Sequence, residues 1–158
     1  MGERLTDKVA LVTGAGSIGP GWGNGKATAV LFAREGAKVF GVDLDLEAAN
    51  ETKGIIEGEG GVCATHAADV AKAESVEAMV EACMAAFGRI DVLVNNVGIA
   101  RTGGIVTTAE ADWDLVTDVN QKSVYLTCKH VVPIGRAPQR AGLVGSAARP
   151  KEGTMPGD

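Results

Sequence analysis

Two groups of residues in this 158-residue chain are of types and spacings that could do chemistry. The first is Gly14-Ala15-Gly16-Ser17-Ile18-Gly19-Pro20-Gly21-Trp22-Gly23-Asn24-Gly25, directly after the apolar run 9–12. It contains a G-x-G-x-x-G pattern at Gly14, Gly16 and Gly19. A glycine-rich turn between a strand and a helix lets backbone approach a pyrophosphate, and the helix N-terminus adds free N–H groups and a partial positive charge. Gly23 and Gly25 sit best at the helix start, because Lys26-Ala27-Thr28-Ala29 opens a helix cleanly. Residues 18–22 then read as an insertion, in which Pro20 has no N–H to donate. Trp22 either covers a ligand or packs on the surface. The second group is Asp43, at the end of the apolar run 39–42, with Asp45 as a competitor for the same task. A carboxylate there can accept both hydroxyls of an adenosine ribose. It would repel a phosphate on the 2′ oxygen by about 4 kcal/mol at about 4 Å and an effective dielectric near 20.

No lysine or arginine lies in the glycine loop or just after Asp43 to offset that repulsion. The loop and the carboxylate together favour NAD over NADP. Paired amides at Asn95 and Asn96 end a further apolar run, where parallel α/β sheets bind ligands. His66 and His130 have no second ligand at metal spacing, so no metal is expected.

These groups need a scaffold that brings strand ends together. Short apolar runs alternate with helical periodicity: strands near 9–12, 39–42, 62–65 and 91–95, and helices near 26–35, 46–57, 76–87 and 109–131. The 76–87 helix is the clearest, with Val76, Met79, Val80, Cys83 and Phe87 on one face and Gly88 to end it. Thr107-Thr108-Ala109-Glu110 reads as a capping box before the last helix. This order predicts a Rossmann-type α/β fold, a doubly wound parallel sheet with four clear strands and a weak fifth seeded by Leu143-Val144. The expected division is a dinucleotide-binding domain over 1–132 and an irregular or disordered tail over 133–158. That tail holds four of the five prolines and little periodicity.

Fifteen basic against twenty acidic residues give a net charge of −5, which argues against nucleic acid as a main partner. Cys63, Cys83 and Cys128 are scattered and odd in number, as reduced intracellular thiols are. No apolar run reaches membrane-spanning length and the first eight residues lack a secretory h-region, so no membrane and a cytoplasmic location are expected.

The ordered set Thr13-Gly14, Gly23-x-Gly25, Asp43, Asp69-Val70, Asn95-Asn96-Val97-Gly98 and Asn120 resembles the short-chain dehydrogenase/reductase family, over roughly residues 6 to 132. The resemblance implies that Gly14, Gly23 and Gly25 line the pyrophosphate loop and that Asp43 holds the adenosine ribose. It implies that Asp69 and Val70 meet the adenine ring, and that Asn95, Asn96 and Gly98 steady the sheet and border the cofactor. Asn120 matches the asparagine that helps hold a water in the proton relay; otherwise it is a helix-bending or surface amide. For Asp69 the alternative is a turn or helix cap. The implied reaction interconverts an alcohol and a ketone by hydride transfer, with nicotinamide dinucleotide and a small substrate as partners. The helix at 109–131 is a candidate surface for a homo-oligomer.

The family's serine and Tyr-x-x-x-Lys are not found where the resemblance would put them. Tyr125 and Lys129 have the spacing but lie a turn or so beyond Asn120, and read as a surface pair at i, i+4. Ser146, after Gly142-Leu143-Val144-Gly145, faintly matches the fifth strand and its serine. The sequence therefore reads as a truncated or frame-shifted cofactor-binding half with little or no turnover. The alternatives are a non-catalytic half-domain that holds a nucleotide or a partner, and a complete enzyme using Tyr125 and Lys129 in an unusual geometry.

Overall fold

A computed structural model describes residues 2–135 and 142–145. Five strands, β1 (Val9–Thr13), β2 (Lys38–Asp43), β3 (Val62–Ala67), β4 (Val92–Asn95) and β5 (Gly142–Gly145), form one sheet in the order β3-β2-β1-β4-β5. Every pairing is parallel, so all strand C-termini lie along one edge. The helices are α1 (Asn24–Arg34), α2 (Leu46–Gly58), α3 (Ala73–Phe87), α4 (Glu110–Thr117) and α5 (Ser123–Gly135). A π-helical turn over Asp118–Lys122 joins α4 to α5. This is the doubly wound α/β architecture expected from the alternation of periods.

Period-two alternation in the strands assigns the two faces. Val9 and Leu11 of β1, Phe40 and Val42 of β2 and Leu93 of β4 pack with Val76, Met79, Val80 and Cys83 of α3 and with Leu126 and Val131 of α5. Ala10, Val12, Val39 and Val94 point the other way, onto Ala29, Val30 and Ala33 of α1 and Ile56 of α2. All five residues of β1 are buried, as a strand covered on both sides must be. Burial in these layers raises the thiol pKa values, to about 11 for Cys63 and about 12 for Cys83. Among the described residues no helix is long and apolar enough to cross a membrane.

At the opposite edge of the sheet, the buried Asp91 carboxylate accepts from Val9 N at 2.9 Å and pairs with Arg89. Burial alone would raise its pKa. The Arg89 hydrogen bond and the Val9 N–H outweigh that and leave it below the usual carboxylate value.

Two local readings are corrected. The capping box at 107–110 does not form: α4 starts after Ala109 with no side-chain cap. The hydroxyls of Thr107 and Thr108 instead turn back on Gly104, at 2.9 Å from Gly104 N and 2.9 Å to its carbonyl respectively. The last helix is not one regular rod but carries the π-helical turn. Residues 133–135 complete α5, and the fifth strand expected around Leu143-Val144 is present as Gly142–Gly145, paired with β4 in register Val92↔Gly142 to Asn95↔Gly145.

Candidate functional site

The parallel edge gathers the ends of β1, β2, β3 and β4, and with them most of the residues singled out from the sequence. The chain leaves β1 at Thr13 and enters Gly14 with φ +64°, a conformation that glycine adopts without penalty. Gly25 lies against this turn: a Cβ there would stand 1.8 Å from the Gly14 carbonyl oxygen and 2.5 Å from Asn96 Nδ2. No side chain fits, so α1 and the turn close on each other through bare backbone. Asn96 holds the same turn from the other side, its Nδ2 donating to Gly14 O at 3.0 Å. Its N–H donates to Thr13 Oγ1 at 3.2 Å, and that hydroxyl donates to Val94 O at 3.1 Å. The ends of β1 and β4 are thereby stitched together.

Gly23 is the N-cap of α1, with extended backbone, no side-chain cap and no acidic residue in the first turn. The leading N–H groups of a helix have no partner within it. At α1 they face an end lined by glycine, with no acid in the helix's own first turn, a composition that suits an anion. Ser17 braces the loop before it: its Oγ accepts from Gly23 N at 2.7 Å and donates to Gly21 O at 3.2 Å. Between these anchors the insertion projects outward, with Ile18 fully exposed and Trp22 more than half exposed.

Asp43 follows β2 and reaches the glycine loop. Its Oδ2 accepts from Gly16 N at 2.9 Å and its Oδ1 from Asp45 N at 3.1 Å. Asp45 has a separate task, as N-cap of α2, accepting from Glu47 N at 3.0 Å and Ala48 N at 3.5 Å. The nearby Lys26, nearly buried, pairs with Glu51 at 3.3 Å.

Past β3, Val70 is buried in the core. Asp69 shapes the turn into α3, with Oδ1 accepting from Ala71 N at 3.1 Å, N–H donating to Ser75 Oγ at 2.9 Å, and Lys72 at 3.2 Å. Asn95 is buried and accepts from Thr127 Oγ1 at 2.7 Å, which ties β4 to α5. Gly98 and Ile99 continue from β4 toward the π-helical turn, and there Asn120 grips Ile99 twice. Its Oδ1 accepts from Ile99 N and its Nδ2 donates to Ile99 O, both at 2.8 Å. A π-helical turn inside a helix is a feature that recurs at functional sites. Tyr125 is 61% exposed, with Lys129 Nζ 5.9 Å from its ring centroid, a cation–π pair on the outer surface of α5. Ser146 lies outside the described residues. Among the described residues no group of three or more His, Cys, Asp or Glu could hold a metal ion.

Sequence reasoning missed Thr52 and Thr127 and named Thr13 and Ser17 only as members of the motif and the loop; the hydroxyls of all four brace the site. Thr52 donates to Ala15 O at 2.7 Å from a fully buried position on α2. The available signal was small: polar residues at positions where the helical or strand period calls for apolar ones.

Comparison with known proteins supplies the frame for this edge. A family profile described as "Enoyl-(Acyl carrier protein) reductase" matches residues 19–156, so the likeness runs on past residue 132. The 3-oxoacyl-[acyl-carrier-protein] reductase of Thermotoga maritima is 42% identical over 130 residues, 82% of this chain and 51% of that protein. A short-chain dehydrogenase/reductase from Burkholderia xenovorans superposes with a TM-score of 0.87 at 45% identity, covering 90% of this chain and 57% of the other. A metagenomic short-chain oxidoreductase solved in complex with NADP superposes with a TM-score of 0.82 at 34% identity, covering 89% and 62%. The chain spans about half the length of the curated relatives it matches. Its sheet order, its glycine turn locked by Asn96, and a family match over most of its length agree: the chain belongs to the short-chain dehydrogenase/reductase family.

Proposed function

We propose that this chain is the NAD(H)-binding portion of an oxidoreductase that interconverts an alcohol and a ketone by hydride transfer. The observation that carries the reading is the start of α1: without a side-chain cap, without an acid in its first turn, lined by glycine, and opening onto the strand edge beside Asp43. Gly14, Gly23 and Gly25 would line the pyrophosphate, and the space a Cβ at Gly25 would need is already taken by backbone. Asp43 would hold the adenosine ribose; Asp69 and Val70 would meet the adenine; Asn95, Asn96 and Gly98 would border the far half. When bound, a nicotinamide dinucleotide supplies the hydride acceptor or donor. What the chain's own residues do is bind and orient it. Asn120 would keep its family role in the proton relay, positioned by its two bonds to Ile99. Ser146 would stand as the family's serine.

NAD is favoured over NADP because Asp43 carries charge where a 2′-phosphate would lie, and the first lysine after it is Lys53, which pairs with Glu57. The exposed Tyr125 with Lys129 over its ring supports their reading as a surface pair rather than a catalytic one. The exposed Trp113 and Leu115 of α4 suit self-association through that helix. Three free thiols, two of them buried, suit the reducing cytoplasm.

The test is NADH binding followed by cofactor fluorescence, for the chain and for Gly25→Val. The chain should bind NADH, and the variant should lose at least about 100-fold in affinity, since the turn must open to admit the side chain. Failure of the unaltered chain to bind any nicotinamide nucleotide would overturn the proposal.

A further inference from the structure

The glycine loop carries five residues that the path from β1 to α1 does not need. Ser17 and Gly23 already touch: Gly23 N donates to Ser17 Oγ at 2.7 Å, and a Cβ on Gly23 would stand 3.4 Å from Gly16 O and 3.7 Å from Ser17 Cα. Residues 18–22 therefore leave the chain and return to it at one neck, and that neck is the N-cap of α1. The excursion holds no charged residue and two large apolar ones, Ile18 and Trp22. Both are exposed, and neither joins either core layer. Among the described residues, the one hydrogen bond that holds the excursion runs from Ser17 Oγ to Gly21 O at 3.2 Å. A Cβ added at Gly19 or Gly21 would meet nothing within 4 Å. Pro20 stiffens the backbone between those two glycines, and Gly21, with φ +108°, leaves a point about which the segment can swing. Apolar side chains scattered singly on a surface need no explanation; two on a dispensable excursion at the mouth of a site do.

We propose that residues 18–22 form a flap that closes over the pyrophosphate of a bound dinucleotide, with Trp22 and Ile18 as its cover. The inference rests on the nucleotide reading above and adds a moving part to it. Three features select this occupant. Trp22 is next in the chain to the N-cap Gly23, so it reaches an anion at the start of α1 by turning its own side chain and the adjoining backbone. The Gly23 N–H that holds the neck is among the donors an anion there would take. A phosphate oxygen that accepts from this N–H and from the Ser17 hydroxyl displaces the bond to Gly21 O and releases the flap. Finally, an apolar cover excludes water from the pyrophosphate and so strengthens its attraction to the helix start. Trp22 is a positioning residue, not a catalytic one.

The chain has two tryptophans, so Trp113→Phe leaves Trp22 as the sole reporter. Quenching of its fluorescence by acrylamide is measured with and without saturating NAD, and NAD should shield it severalfold. NADH release, followed by stopped flow, should be about tenfold faster from Trp22→Ala, as befits the loss of one buried aromatic contact. Deleting residues 18–22, which joins Ser17 to Gly23, should speed release at least as much. Both variants should keep the urea midpoint, since neither apolar side chain joins the core. NAD bound with Trp22 still open to acrylamide, or release unchanged in both variants, overturns the flap and leaves the nucleotide reading standing. Shielding that grows with chain concentration in the absence of NAD makes the excursion a contact between copies and also overturns the flap. Failure of the unaltered chain to bind any nicotinamide nucleotide overturns both.

Discussion

The starts of α1 and α2 are built on the same plan and used in opposite ways. Each follows a strand of the same parallel sheet, and each begins at the edge where the strand C-termini meet. Each helix therefore presents the same partial positive charge and the same unpaired N–H groups. At α1 the cap is Gly23, with no side-chain bond and no acid in the first turn. At α2 the cap is Asp45, bonded to two amides, with Glu47 following it. One helix start is left available to an anion; the other is filled from within the chain. The backbone alone makes neither a binding site nor a barrier. A few side chains at the N-cap and first turn decide which it becomes.

That contrast can be broken by giving α1 the cap that α2 has. Gly23 has φ −81° and ψ 161°, which any residue adopts, and the atom nearest an added Cβ, Ser17 Oγ at 3.0 Å, ends a side chain that can turn aside. Gly23→Asp should therefore fold with a stability change below about 1 kcal/mol, since glycine and aspartate caps differ little. NADH affinity should fall about 100-fold, because the new carboxylate both occupies the donors and repels the pyrophosphate. Fluorescence titration beside urea unfolding would read both quantities. Normal NADH binding by Gly23→Asp would remove the start of α1 from the site.

The opposite edge of the sheet sharpens the contrast, because there a buried carboxylate is structural only. Asp91→Asn should cost about 2 kcal/mol in urea unfolding at neutral pH, since Arg89 and Val9 N lose a charged acceptor. NADH affinity should not move. The sign of the pH dependence follows from the lowered pKa of Asp91. Its contribution is fully present above the unfolded carboxyl pKa, near about 3.9, and is lost as pH falls through the lower folded value. The stability gap between the chain and Asp91→Asn should therefore narrow in acid. A gap that stays constant down to the acid transition would argue against the ion pair as its source.

The smallest expected effect belongs to the cap itself. Asp45→Ala should destabilise the chain by about 1 kcal/mol, and Asp45→Asn by much less, both read from urea midpoints. Equal losses in the two would mean that charge, and not the capping hydrogen bonds, holds the start of α2.

Much of this was legible before the structure. The strands near 9–12, 39–42 and 91–95 and the helix ending at Gly88 follow from apolar runs, helical spacing and glycine, all signals carried within about ten neighbouring residues. Helix starts were less legible. The Thr107–Glu110 pattern satisfies the capping-box rule, yet the threonines bond Gly104 instead, because a local turn competes for the same hydroxyls. The π-helical turn at Asp118–Lys122 has no periodic signature. Asn120 was visible as a residue, but Ile99 as its partner, 21 positions away, was not.

The sequence by itself determined the alternation of strands and helices, the glycine turn and the identity of the carboxylate after β2, since these depend on local period, on side-chain size and on charge. Only the tertiary structure decided the pairings: Asn96 on the Gly14 turn 82 positions away, Asp43 on Gly16 across 27, and Thr127 on Asn95 across 32. Each joins ends that come near each other only once parallel strands stack in the order 3-2-1-4-5. The division between an open α1 and a filled α2 is of the same kind. The chain carries a glycine before one helix and aspartates before the other. It takes the sheet to set both helix starts along one edge.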